Sequence, residues 1–187
     1  MRGYRHVIMF IRYENGMYVI DTELDMLWEM KRRYKELYHF NPVLNNMTQN
    51  NKKDSRLAGL LGEVIFERLY PTAKVSSDRR YDYTYMGWRI DVKCKLRNVP
   101  AHLGLEASIY EYQLHKSIVD IYYFMSTTPD FNRVWLCGWI GMLEMVNHPK
   151  TRHWKKGELD RHNNKRFTAD TLNLKYSELR RINLDDY

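Results

Sequence analysis

Two carboxylates and an ammonium fall within one short stretch of this chain, at spacings that let them share a single strand face. Residues 80–95 read RYDYTYMGWRIDVKCK. The second half alternates, with Trp88, Ile90, Val92 and Cys94 apolar and Arg89, Asp91, Lys93 and Lys95 charged. A period of two marks a half-buried strand. Asp91 and Lys93 then project from the same face, about 7 Å apart. Met86-Gly87 predicts a turn, and a shorter strand over Tyr81 to Thr84 brings Asp82 to that face. Carboxylates crowded in this way repel one another unless something compensates them. A divalent cation together with a phosphate would do so.

The element that must back this hairpin is RLAGLLGEVIFERLY, a predicted helix over Arg56 to Tyr70, begun by Asp54 or Ser55 and stopped by Pro71. Glu63 lies at its centre. Gly59 and Gly62 stand beside it, and glycine weakens a helix, so a close approach of another backbone is expected there.

A helix with an acid, then a hairpin with Asp and Asp-x-Lys, resembles the PD-(D/E)xK nuclease superfamily, which includes restriction endonucleases, Holliday junction resolvases and phage exonucleases. Glu63 matches the helical acid, Asp82 the first hairpin Asp, and Asp91 with Lys93 the (D/E)-x-Lys. The family's proline is replaced by Tyr81. D-x-K alone is a common surface pair; the order and spacing of the four residues set this one apart. The resemblance covers roughly residues 56–139 and implies a restriction-endonuclease-like α/β fold, a central mixed β-sheet flanked by helices. Here that fold would carry an N-terminal helical and hairpin extension. Gln113 occupies the place of a polar residue that many members carry on the helix after the catalytic strand, with Lys116 three residues on. VDIYYFMS and VWLCGWI resemble the two strands that finish the family's core.

The resemblance further implies a Mg²⁺- or Mn²⁺-dependent deoxyribonuclease. One or two ions would be held by Asp82, Asp91 and the Val92 carbonyl, with Glu63 at a second ion or a bound water. Mg²⁺ favours hard oxygens and keeps several waters, so few protein ligands suffice. Lys93 would orient the attacking water or stabilise developing charge, and Gln113 would hydrogen-bond water or phosphate. A phage- or bacterium-encoded resolvase-like or recombination nuclease is the leading expectation. The alternatives are a restriction endonuclease, or a DNA-binding protein on the same fold with weak or absent catalysis.

Composition agrees with a polyanionic partner. The 187 residues fit one domain, and the net charge is +7. The expected parts are an N-terminal extension (1–53), a catalytic core (54–146) and a C-terminal basic loop with closing elements (147–187). The stretch from Lys150 to Arg166 carries seven Lys or Arg against two acids. It would either track a phosphate backbone through Lys155, Lys156, Lys165 and Arg166, with Trp154 near an unpaired base, or form a solvated loop. Cys94 and Cys137 read as small buried hydrophobes in a reducing compartment. The scattered histidines, His153 and His162 among them, do not form a metal constellation. The charged N-terminus is no signal peptide and no apolar run reaches membrane-spanning length, so a cytoplasmic protein with DNA as partner, monomeric or homodimeric, is expected.

Elsewhere, Asn15-Gly16 predicts a hairpin turn between Val7–Tyr13 and Met17–Ile20. A helix is expected over Asp21 to His39 and a loop over Asn41 to Lys53. Glu106 to Lys116 reads as a helix, Val119 to Ser126 and Arg133 to Trp139 as strands, and Ile140 to Val146 as a short helix. Thr168 to Leu174 reads as a last strand, and Tyr176 to Ile182 as a closing turn.

Overall fold

Strands β1 (Ile11–Glu14) and β2 (Met17–Asp21) form the expected N-terminal hairpin. Asn15 and Gly16 both take positive φ at its turn (51° and 82°), the geometry a type I′ turn requires. The computed structural model describes residues 9–39, 50–116, 118–160 and 164–184. Residues 7 and 8 of the expected first strand, 41–49 of the expected loop, and His162 lie outside that set. Helix α1 (Leu24–His39) follows, then α2 (Asn50–Leu69), β3 (Lys74–Val75), β4 (Tyr83–Tyr85) and β5 (Trp88–Leu96). Next come β6 (Glu106–Tyr110), α3 (Glu111–Lys116), β7 (Ile121–Thr127), β8 (Arg133–Gly141) and α4 (Met142–Asn147). The chain ends through β9 (Arg152–Trp154), β10 (Leu159–Asp160), β11 (Lys165–Arg166), β12 (Thr171–Lys175) and a 3₁₀ turn (Tyr176–Glu178).

The architecture is mixed α/β. A seven-stranded sheet has the order β1-β2-β8-β7-β5-β4-β3. The β5–β7 pair is parallel and the other pairs are antiparallel. The period-two rule sorts its side chains into two cores. Ile90, Val92, Tyr123 and Met125 pack with Leu61, Val64 and Ile65 of α2 and Met26 and Met30 of α1. Tyr122, Phe124 and Cys137 face the other way, toward Ala107, Ile109, Leu172, Leu174 and Met145. That second face is covered by an antiparallel sheet of order β6-β12-β9 and by short helices rather than by long helices. No helix among the described residues is long and apolar enough to cross a membrane.

Several expectations are corrected. Glu106 to Tyr110 is a strand, because Ala107 and Ile109 meet Leu174 and Leu172 across the β6–β12 ladder; only Glu111–Lys116 is helical. Helix α2 starts at Asn50, not at Arg56, so the polar run before Arg56 continues a helix instead of capping one. The short hairpin strand is Tyr83–Tyr85, leaving Asp82 just before it. The last strand is Thr171–Lys175. The basic stretch is not a plain loop, since it contributes β9 and the β10–β11 hairpin. The N-terminal hairpin is built into the main sheet, where β2 pairs with β8.

The two α2 glycines differ. A Cβ on Gly62 would sit 2.5 Å from the Cβ of Cys94 on β5, so glycine lets the helix press against the strand that carries Asp91 and Lys93. A Cβ on Gly59 would meet nothing within 4 Å. Gly62→Ala should therefore cost about 1–3 kcal/mol through overpacking. Gly59→Ala should gain up to about 1 kcal/mol of helix propensity. Thermal melts of the two variants should shift in opposite directions. A higher melting temperature for Gly62→Ala would contradict the close packing.

Candidate functional site

The β4–β5 hairpin turns at Met86-Gly87, both at positive φ (49° and 83°), and this sets Tyr83 opposite Ile90. β4 is only three residues long, so pairing on that side of β5 ends at Asp82. The Asp82 amide donates to the Ile90 carbonyl (2.9 Å), and its own carbonyl accepts from Ser76 (2.8 Å). Its carboxylate then takes over from the missing strand: Oδ2 accepts the Val92 amide at 2.7 Å. The N–H and C=O of one strand residue point to the same edge, so the Val92 carbonyl also faces the edge beside Asp82.

Asp91 and Lys93 share a face, as the alternation implies. Lys93 Nζ lies 2.6 Å from Asp91 Oδ2. Burial works against the Lys93 ammonium, but the Asp91 carboxylate, and Asp82 behind it, outweigh that cost and hold its pKa above the ordinary lysine range. Lys93 is therefore a cation and a donor, not a proton acceptor. Asp82 sits on the other side of Asp91. Burial first, then the charge of Asp91 and a hydrogen bond to it, push Asp82 up to about 8.

Asp82, Asp91, Lys93 and Gln113 line one cleft of about 430 Å³, together with Arg79, Tyr112 and Lys116. Gln113 reaches it from α3, as the resemblance implied. Glu63 does not line it. Glu63 opens into an adjoining recess of about 210 Å³, shared with Asp82, Arg33 and Glu67. Burial raises its pKa, against the counteracting charge of Arg33. One turn further along α2, Glu67 accepts two hydrogen bonds from Arg33 (2.8 and 2.6 Å) and one from the Tyr83 hydroxyl (2.7 Å). That network ties α1, α2 and β4 behind the site, and neither Glu67 nor Arg33 stood out in the sequence. A heptad-like acid pair on α2 was the available signal.

Among the described residues, no three His, Cys, Asp or Glu side chains come together closely enough to hold a metal ion. What the cleft offers is two neighbouring carboxyl groups and a backbone carbonyl on the same edge. Three hard oxygens of this kind suit a cation that keeps most of its waters. Asp82, Asp91 and Val92 thus fit an ion, while Glu63 stands apart from that set.

The basic stretch divides. Lys155 is engaged by Asp170 (3.0 Å) and Glu111 (3.4 Å), and the Lys156 amide binds Asp170 (2.7 Å). Trp154 stacks on Phe167 at 4.9 Å, so one face of its ring is taken by protein rather than left for a base. Lys165 lies on β11 opposite Asp160. Arg166 alone of the four expected DNA contacts lines a second, larger groove, which also borders Lys93. Burial raises the thiol pKa of both Cys94 and Cys137, in keeping with inert cysteines.

No protein-family model matches this chain, and no curated protein or solved structure matches it either.

The raised pKa of Asp82 makes stability depend on pH. With its folded pKa raised, Asp82 contributes its full stabilisation below the ordinary carboxylate range and loses it as pH rises through about 8. Asp82→Asn keeps an oxygen for the Val92 amide and removes that loss. In EDTA the variant should melt near the parent under acid conditions and above it at alkaline pH, by about 2 kcal/mol or roughly 4–8 °C. Parallel pH profiles for the two proteins would show that the pKa of Asp82 is not raised in the fold.

Proposed function

We propose that this protein is a metal-dependent nuclease that hydrolyses DNA phosphodiester bonds, on a restriction-endonuclease-like arrangement of helix, hairpin and strand. The observation that carries the reading is the convergence of Asp82, Asp91 and Lys93 on one cleft, with Lys93 paired to Asp91 at 2.6 Å. Mg²⁺ or Mn²⁺ held by Asp82, Asp91 and the Val92 carbonyl would polarise the phosphate and lower the pKa of the attacking water.

The chain's own groups supply the rest. Asp82, whose pKa is raised by burial and by the charge of Asp91, would give up its proton as the site takes up positive charge. Lys93, held charged by Asp91, donates to a non-bridging phosphate oxygen or to the attacking water and stabilises the charge that builds in the transition state. Gln113 and Lys116, from α3 across the cleft, can donate to the same phosphate. Glu63, in the neighbouring recess, adds negative potential behind Asp82 and is too far aside to complete the first set of oxygens.

That position of Glu63 favours a second reading, a DNA-binding protein with weak catalysis. One experiment separates the two. Plasmid, linear and four-way-junction DNA are incubated with Mg²⁺, Mn²⁺, Ca²⁺ or EDTA. Cleavage with Mg²⁺ or Mn²⁺ but not with EDTA is the expected result, with Ca²⁺ supporting binding and little cleavage because its looser coordination positions water less well. Gel shifts without cleavage under every condition would favour the binding protein. Neither shift nor cleavage would overturn both readings.

A further inference from the structure

A groove of about 580 Å³ adjoins the cleft lined by Asp82 and Asp91, and Lys93 borders both. Its lining includes Lys95 and Arg166 and contains no Asp or Glu. Lys95 is the next residue along the charged face of β5. Its Nζ donates to Ser108 Oγ at 3.1 Å, and it has no carboxylate within ion-pair distance among the described residues. It keeps solvent contact on the open side of the groove while protein rings the rest, and that crowding lowers its pKa. An anion would relieve the cost. Arg166 spends one donor on the Gly157 carbonyl (2.6 Å), and a guanidinium has five N–H groups.

A second feature stands at the junction of groove and cleft. Tyr110 lines the groove and Tyr112 lines the cleft. Their rings stack at 5.6 Å and 12°, and both remain largely exposed, at 41% and 51%. Lys116 Nζ lies 5.8 Å from the Tyr112 ring centre. Two large aromatic faces held parallel in water beside a row of cations lack any core-packing explanation. Aromatic platforms beside basic grooves bind single-stranded nucleic acid, because unpaired bases have free π-faces and paired, stacked bases do not.

We propose that this groove holds a single-stranded nucleic-acid segment leading away from the scissile phosphate, with Lys95 and Arg166 on its backbone and Tyr110–Tyr112 stacked against an unpaired base. The inference rests on the nuclease reading for what lies at the cleft end, and it makes the substrate a strand with an unpaired tail rather than a blunt duplex. A volume on this scale encloses something the size of a drug molecule, about one or two nucleotides, so the rest of the segment lies along the open groove.

The test uses the full chain in EDTA, so that no strand is cut, with fluorescence anisotropy on a labelled single strand, the blunt duplex of the same length, and that duplex bearing a single-stranded tail. The single strand and the tailed duplex should bind at least about tenfold more tightly than the blunt duplex. Tyr110→Ala should remove about tenfold of that affinity and Tyr110→Phe almost none, which separates stacking from misfolding. Lys95→Gln with Arg166→Gln should weaken binding and flatten its salt dependence, because fewer counterions are released. Blunt duplex binding as tightly as single strand, or Tyr110→Ala binding like the parent, would overturn the proposal. Cleavage assays with Mg²⁺ are run in parallel. A protein that binds single strands through Tyr110 but never cuts retains the groove and loses the nuclease reading. One that cuts but does not discriminate retains the nuclease and loses the groove.

Discussion

Asp91→Ala should abolish metal-dependent cleavage, by about 10⁴-fold or more, and leave a folded protein that still binds DNA. Residues that act as a unit in catalysis lose most of the rate when one is removed, and Asp91 touches both other members of its set. It lies 2.6 Å from Lys93 on one side and against the Asp82 carboxyl on the other. For stability these contacts oppose each other. Removing Asp91 loses an ion pair to Lys93 and relieves a repulsion with Asp82, so the melting temperature should move little. The groove contacts at Lys95, Arg166 and Tyr110 are untouched, so single-strand binding in EDTA should match the parent. Unfolding of the variant would make Asp91 a structural residue. Undiminished cleavage would remove it from the chemistry.

Lys93→Ala should reduce turnover by about 10²–10³-fold, the range for loss of one donor that stabilises transition-state charge. The metal concentration needed for half activity should change much less, because Lys93 pairs with Asp91 and would meet the phosphate rather than the ion. Lys93→Arg should recover only part of the rate. Asp91 pairs with a compact ammonium at 2.6 Å, and a planar guanidinium presents its donors in a different geometry. Full recovery by arginine would reduce Lys93 to a general positive charge. The alanine variant also leaves Asp82 and Asp91 without their counter-charge. Its melting temperature should therefore fall below that of the parent as pH rises and Asp82 ionises, and this pH-dependent loss distinguishes a charge effect from a packing defect.

The hairpin was legible in the sequence because each of its parts is locally encoded. Alternation from Trp88 to Lys95 fixes which residues share a face, and Met86-Gly87 fixes the turn. The α2 helix was legible from its apolar spacing, though not its start, since Asn50 to Lys53 are helical without an apolar face to announce them. Glu106–Tyr110 was misread because its partner, β12, lies more than sixty residues away, and a short EASIY run ahead of a true helix gives no local sign of that pairing. Sequence separation also hides the acids that pair with two lysines of the basic stretch. Glu111 and Asp170 take up Lys155, and Glu178 takes up Lys150. In the site, Asp82, Asp91, Lys93 and Gln113 were reached from the sequence and line one cleft. Glu63 has the expected place in the chain, yet it opens to a separate recess, because its direction depends on how α2 is set against β5 by Gly62. The Tyr110–Tyr112 stack could not be read at all. It depends on a strand ending and a helix beginning between the two rings.

The hydrogen bond from the Val92 amide to Asp82 gives the site a built-in spectroscopic probe. A strand amide that would ordinarily face a neighbouring chain carbonyl faces a titrating carboxyl instead. Its proton resonance should respond to whatever occupies that carboxyl, whether a proton or a cation. It should also exchange with solvent by opening of the Asp82 contact rather than by fraying of β5, whose other edge is locked to β7. A single backbone nucleus, with no label on any catalytic side chain, can thus follow ionisation and ligand uptake at the cleft in solution.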